Sequence, residues 1–170
     1  MASEQESRFR FEQCVESCAD SLYRVAFRLT GDSTLASELV QETFLNAWQN
    51  LESLRDPERI RGWMFSILRN QYSKLVRKES RSGASLSHDV VAPAERSEEQ
   101  RDDVSEQVQQ AIDGLDDKHK LPLLLVAMEQ LSVDEAARVL DLPRGTVLSR
   151  LHRGRQKLKS ILERQLQKTG

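Results

Sequence analysis

Between Arg144 and Lys168 the chain carries eight Lys/Arg and one Glu, a local charge of +7. Six polar residues there, Thr146, Ser149, Arg150, Arg153, Gln156 and Lys157, come to one side of a helix. On the other side Val147, Leu151, Gly154 and Leu158 recur at intervals of four, three and four. Cations of this kind grip phosphates by charge. Hydroxyls, amides and guanidinium groups also pair with base edges. The chemistry on offer is therefore noncovalent recognition of a polyanion. A second basic cluster runs from Arg69 to Arg81, with five Lys/Arg and one Glu, a charge of +4. Asn70 and Tyr72 stand among its cations Arg69, Lys74, Arg77 and Lys78. A ring can stack on an unpaired base and an amide can read its edge.

A basic helix face is also what a solvated helical hairpin presents, and a basic helix end complements the helix dipole. The rest of the charge favours nucleic acid. From Val104 to Pro143 three Lys/Arg face eight Asp/Glu, a charge of −5, and the whole chain carries only −2. A basic terminus on a mildly acidic chain is the footprint of phosphate binding.

The elements that must position these groups are helical. Ser132 followed by Glu135 forms a capping box, and Ala136, Ala137, Val139 and Leu140 give the next residues an apolar side. Asp141-Leu142-Pro143 breaks that helix, and a second begins at about Pro143. Short helix, tight turn and basic-faced helix make a helix-turn-helix. Earlier in the chain, residues up to about Arg8 are polar and read as frayed. Phe11, Val15, Cys18, Leu22, Val25 and Leu29 then mark an amphipathic helix that Gly31 ends. Asp32 or Ser33 caps a helix from Thr34 to about Leu51, whose polar face shows Glu38, Gln41, Glu42 and Leu45. A polar loop over Glu52–Arg59 precedes a helix from about Ile60 to Ser80 with Trp63, Met64, Ile67, Leu68, Leu75 and Val76 as core residues.

Residues Ser82 to Asp103 have no periodicity and a charge of −4, which predicts a flexible acidic linker. Fully extended, it would reach up to ~70 Å. It divides the chain into residues 1–81, the linker 82–103, and residues 104–170. Helices over Val104–Leu115 and around Leu121–Gln130 lead into the helix-turn-helix. Fold class is all-α: an N-terminal helical bundle and a C-terminal four-helix domain, each with a small core.

No phosphate loop, nucleophile–base pair or metal cluster is present, and His88, His119 and His152 are isolated, so no catalytic residue, cofactor or metal is expected. Cys14 and Cys18, one helical turn apart with no second pair nearby, read as buried or half-buried thiols rather than a zinc site. No apolar run approaches membrane-spanning length, and no leader opens the chain. A cytosolic protein without membrane insertion is expected.

Two stretches together carry a family resemblance. LASELVQETFLNAW at Leu35–Trp48 with RGWMFSILRNQYSKLVRK at Arg61–Lys78, and LSVDEAARVLDLPRGTVLSRLHRGRQKL at Leu131–Leu158, resemble bacterial RNA polymerase sigma factors of the extracytoplasmic function (ECF) group. The resemblance covers about Phe9 to Gln165. It implies that Glu38, Gln41, Glu42 and Leu45 dock on the clamp helices of the polymerase largest subunit. It implies a −10 promoter element melted and read by the Glu52–Arg61 loop and the following helix, with Arg61, Trp63, Arg69, Asn70, Tyr72, Lys74, Arg77 and Lys78 on DNA. The helix-turn-helix would read the −35 duplex with Arg144, Thr146, Leu148, Ser149, Arg150, His152, Arg153 and Lys157. Further partners implied are the polymerase flap and an anti-sigma factor. Leu35 and Ser37 stand where the family often has Asp, and Leu148 where many members carry Lys or Arg. The competing reading is a polymerase-independent helix-turn-helix regulator, which leaves the N-terminal half without a role.

Overall fold

The computed structural model describes residues 4–83 and 103–169. The expected acidic linker lies outside them except at its ends, where Ser82 closes one helix and Asp103 opens the next. Among the described residues every regular element is a helix.

Helix α1 spans Glu4–Thr30. It begins before the apolar repeat does. Arg8 Nε meets Glu12 Oε1 at 3.0 Å and Arg10 Nη2 meets Glu6 Oε1 at 4.0 Å, so ion pairs one turn apart support the polar segment expected to fray. Gly31, at φ 67°, takes the left-handed conformation that ends α1. Helix α2 spans Ser33–Gln49, and the Asp32 carboxylate caps it by accepting the Leu35 N–H at 2.8 Å. Two short 3-10 turns, Leu51–Ser53 and Pro57–Arg59, lie in the stretch expected as a polar loop. Helix α3 spans Ile60–Ser82 and stops at Gly83, again at φ 67°.

These three helices enclose Leu22, Val25, Leu29, Leu39, Met64, Phe65 and Leu68, all buried. Each such side chain contributes roughly 1.5–3 kcal/mol on leaving water. Cys14 and Cys18 are free thiols buried in the same bundle. Burial, with Cys18 beside it, pushes the Cys14 thiol up to about 11. Since the thiolate is the nucleophile, iodoacetamide at about pH 8 should leave Cys14 unmodified in the native protein and alkylate it in denaturant. Rapid native alkylation, read by intact mass, would contradict this burial.

The C-terminal bundle comprises α4 (Asp103–Asp113), α5 (Asp117–Leu123), α6 (Val133–Leu140) and α7 (Arg144–Thr169). Pro122 lies inside α5, which widens directly afterwards into a π-helical turn over Leu124–Met128. The missing Pro122 N–H removes one rung of the hydrogen-bond ladder, and in the wider turn that follows Glu129 N–H reaches the Leu124 carbonyl at 3.1 Å. The α6 capping box forms in both directions, Glu135 N–H to Ser132 Oγ at 3.1 Å and Ser132 N–H to Glu135 Oε2 at 2.7 Å. Asp141, at φ 53°, makes the turn into α7.

The two bundles are in contact and share one buried cluster. Helix α3 lies against α6, where a Cβ on Gly62 would sit 3.9 Å from a Val139 methyl. Polar groups line the seam. Arg28 Nη1 donates to Gln109 Oε1 at 3.0 Å, Tyr72 Oη donates to Asp117 Oδ1 at 2.9 Å, and Arg24 and Arg61 both reach Glu129.

Candidate nucleic-acid interface

Helices α6 and α7 form the helix-turn-helix that the sequence predicts. Val147, Leu151 and Gly154 face inward and are buried, while Leu148, Ser149, His152 and Arg153 are exposed on the outer side. Gly154 permits a close approach between helices: a Cβ there would meet His119 Cβ and the His119 carbonyl oxygen, both at 3.4 Å. The seat of α7 on α5 is thus set largely by backbone.

At the start of α7 a cavity of about 400 Å³ is lined by Lys118, Thr146, Ser149, Arg150 and Arg153, with His119 at its wall. Lys118 comes from α5 and is absent from the residues that the sequence picks out. Its only sequence signal is that Lys118 and Lys120 are the two cations between Val104 and Ala137. His119 is buried, and its Nδ1 lies 3.5 Å from Asp116 Oδ2. Burial, followed by Lys157 and Lys118, lowers its pKa, so the imidazole is neutral near pH 7. The charge of this cavity therefore comes from lysine and arginine.

Two predicted phosphate-gripping residues have partners within the bundle. Lys157 Nζ meets Asp116 Oδ2 at 3.0 Å, and Arg144 Nε meets Asp134 Oδ1 at 3.1 Å. All four side chains are more than half exposed. Such pairs are worth only ~0–1 kcal/mol and exchange readily for another anion.

On α3 the predicted residues divide. Asn70, Lys74, Arg77 and Lys78 are exposed, and Arg69 Nη2 donates to Asn70 Oδ1 at 2.9 Å. Trp63 is partly buried and packed on the core. Tyr72 is 5% exposed, with its ring in the seam between bundles. Burial, then the nearby Asp117 charge, raises its phenol well above the usual range, so it remains a donor. Arg61 also points into the seam, toward Glu129. Sequence periodicity carries no sign of either long-range partner.

Helix α2 presents Glu38, Gln41, Glu42 and Leu45 together on its exposed face. Trp48, a turn from Leu45, is 44% exposed and stands edge-on to Phe11 with ring centres 5.2 Å apart. This face is acidic at one end and apolar at the other.

The family model for Sigma-70 region 2 matches residues 14–82, and that for Sigma-70, region 4 matches residues 105–158. The ECF RNA polymerase sigma factor SigL of Mycobacterium tuberculosis is 32% identical over 159 residues, covering 84% of this chain and 82% of the relative. The chain belongs to the ECF group of RNA polymerase sigma factors. Sigma factors of this family bind core RNA polymerase and direct it to promoters. The ECF sigma factor SigE of Mycolicibacterium smegmatis is 30% identical over 165 residues, covering 94% of this chain and 64% of that longer relative. Among solved structures, the sigma factor RpoE in complex with the anti-sigma factor NepR from Bartonella quintana shares the fold. Its TM-score is 0.76 at 24% identity, covering 90% of this chain and 96% of that one. CnrH in complex with the cytosolic domain of CnrY gives a TM-score of 0.66 at 29% identity, covering 90% and 87%. None of these similarities supports a polymerase-independent regulator. No described helix is long and apolar enough to cross a membrane.

Proposed function

We propose that this ECF sigma factor docks on the clamp helices of core RNA polymerase through the exposed α2 face, opens and reads the −10 element with α3, and reads the −35 duplex with α7. Residues 1–81 then form the core-binding and −10 unit, 82–103 the linker, and 104–170 the −35 unit that also meets the polymerase flap. The observation that carries this reading is the outer face of α7. Ser149, His152 and Arg153 are exposed there, directly opposite Val147 and Leu151, which lock the helix in place. The exposed Asn70, set among Lys74, Arg77 and Lys78, supports the role of α3. An amide forms paired hydrogen bonds with a base edge, whereas the cations grip phosphate regardless of sequence. The protein acts as a non-enzymatic initiation factor in the cytoplasm. An anti-sigma factor is a further partner, a reading supported by the RpoE structure named above, which holds the anti-sigma factor NepR.

Run-off transcription by core polymerase with and without the protein tests the assignment, and the start sites define its promoters. Asn70→Ala should reduce permanganate reactivity of the opened −10 bases several-fold while core binding persists. Lys74→Ala and Arg77→Ala should weaken all promoters alike and flatten the salt dependence. Identical permanganate footprints for wild type and Asn70→Ala would remove the reading role from α3.

A further inference from the structure

A cavity of about 320 Å³ opens where α3 faces α5, the end of α6 and α7. Its lining is of two kinds. Val76, Leu121, Pro122, Leu140 and Leu142 make an apolar floor. Arg69 and Arg77 of α3, Lys118 of α5 and Arg150 of α7 bring four cations to the same space. Asp117 is the one carboxylate in this lining, and Tyr72 Oη already donates to it at 2.9 Å. Arg69 Nη2 donates to Asn70 Oδ1 at 2.9 Å and Arg77 Nε to the Ser73 carbonyl at 3.1 Å, both uncharged acceptors. Among the described residues none of the four cations forms an ion pair. Other cations of the same bundle do, Arg144 with Asp134 and Lys157 with Asp116. The unpaired ones are those that converge on the cleft.

A cleft lined by one sign of charge, with apolar walls, focuses its field and concentrates counter-ions. A guanidinium grips phosphate oxygens through paired N–H groups and also lies flat against a planar ring. The volume falls in the range of small-molecule sites, about 300–1,000 Å³. We propose that this cleft binds a free nucleoside triphosphate, with the base on the apolar floor and the phosphates among Arg69, Arg77, Lys118 and Arg150. A nucleic-acid strand offers one phosphate per base. Four cations around a single base-sized floor match several phosphates on one nucleoside instead. The site involves neither polymerase nor promoter, so it stands or falls apart from the DNA roles assigned to α3 and α7.

The full-length protein, free of polymerase and DNA, is titrated calorimetrically with ATP, AMP, adenosine and inorganic tripolyphosphate. ATP should bind once per chain and at least tenfold more tightly than AMP or tripolyphosphate, with no binding of adenosine. Tripolyphosphate carries at least as much charge as ATP, so only the base can favour ATP. Arg77→Gln and Lys118→Gln alter exposed residues of opposite bundles. Each should keep the wild-type circular dichroism and weaken ATP about tenfold, the loss of one hydrogen bond to a charged group. Lys159→Gln, at an exposed cation of α7 outside the cleft, should bind ATP like wild type. Tripolyphosphate as tight as ATP, or Lys159→Gln as weak as the two cleft variants, would reduce the effect to diffuse attraction of anions and overturn the site. AMP as tight as ATP would point to a strand nucleotide and overturn the choice of a free triphosphate. Absence of ATP binding at millimolar concentration would overturn the proposal outright.

Discussion

Glu42→Lys should abolish capture of core RNA polymerase while leaving the helical content unchanged. Glu42 is exposed on α2 beside Glu38 and Gln41, and the opposite side of the helix is fixed by buried Ala36, Leu39, Thr43 and Ala47. The substitution therefore alters a surface without touching the core. In the docked state it places a cation where the family meets basic groups. Like charges brought close in an interface cost several kcal/mol, and each ~1.4 kcal/mol is tenfold in affinity, so the loss should exceed a hundredfold. Circular dichroism and a pull-down with tagged core polymerase check the two halves of the expectation. Undiminished pull-down by a folded Glu42→Lys variant would move the polymerase contact off the acidic end of α2. The exposed Leu45 and half-exposed Trp48 then become the place to look, since they supply the apolar part of the same face.

The second large effect is expected at Arg153. This residue is exposed, projects from the side of α7 opposite Leu151, and lies one turn from Ser149. A guanidinium pairing with guanine through two hydrogen bonds is worth about 1–3 kcal/mol of discrimination. Arg153→Ala should therefore lose roughly ten- to hundredfold preference at one −35 position. Arg155→Ala, at an exposed flanking position, should weaken every promoter by a similar factor. Transcription from a randomised −35 library by each holoenzyme separates the two outcomes. An unchanged base profile for Arg153→Ala would show that α7 does not read the duplex through this residue. Leu148, 42% exposed at the edge of the same face, has no donor to offer. Leu148→Arg should add affinity for guanine-containing −35 variants in that library.

Local features of the fold were legible in the sequence because their causes are local. Asp32 caps α2 by a bond spanning three residues, and Ser132 and Glu135 close their box over the same distance. The turn between α6 and α7 follows from Asp141 and Pro143. Periodicity also placed the inner and outer sides of α7 correctly. What escaped were consequences of distant partners. Arg61 finds Glu129 across 68 residues and Tyr72 finds Asp117 across 45, separations at which spacing conveys nothing. Both residues carried the right type for DNA contact, yet the structure turns them into the seam. Lys118 escaped for a similar reason, since only the approach of α5 to α7 at Gly154 brings it to the cavity beside Arg153. The early start of α1 was missed because apolar spacing is blind to ion pairs such as Arg8 with Glu12.

The division of α7 into a seated side and a free side bears on how such a protein changes over generations. Val147, Leu151 and the bare backbone at Gly154 hold the helix at its angle, and none of them meets solvent. Leu148, Ser149, His152 and Arg153 contribute almost nothing to that seat. Substitutions among these four can therefore accumulate at little cost in folding, typically within about 0.5 kcal/mol for surface sites. On the proposed reading of the −35 duplex by α7, duplicated copies of the chain can drift apart in the promoters they serve while inheriting an unchanged scaffold. Regulatory diversification is then a matter of a few codons on one stripe of one helix.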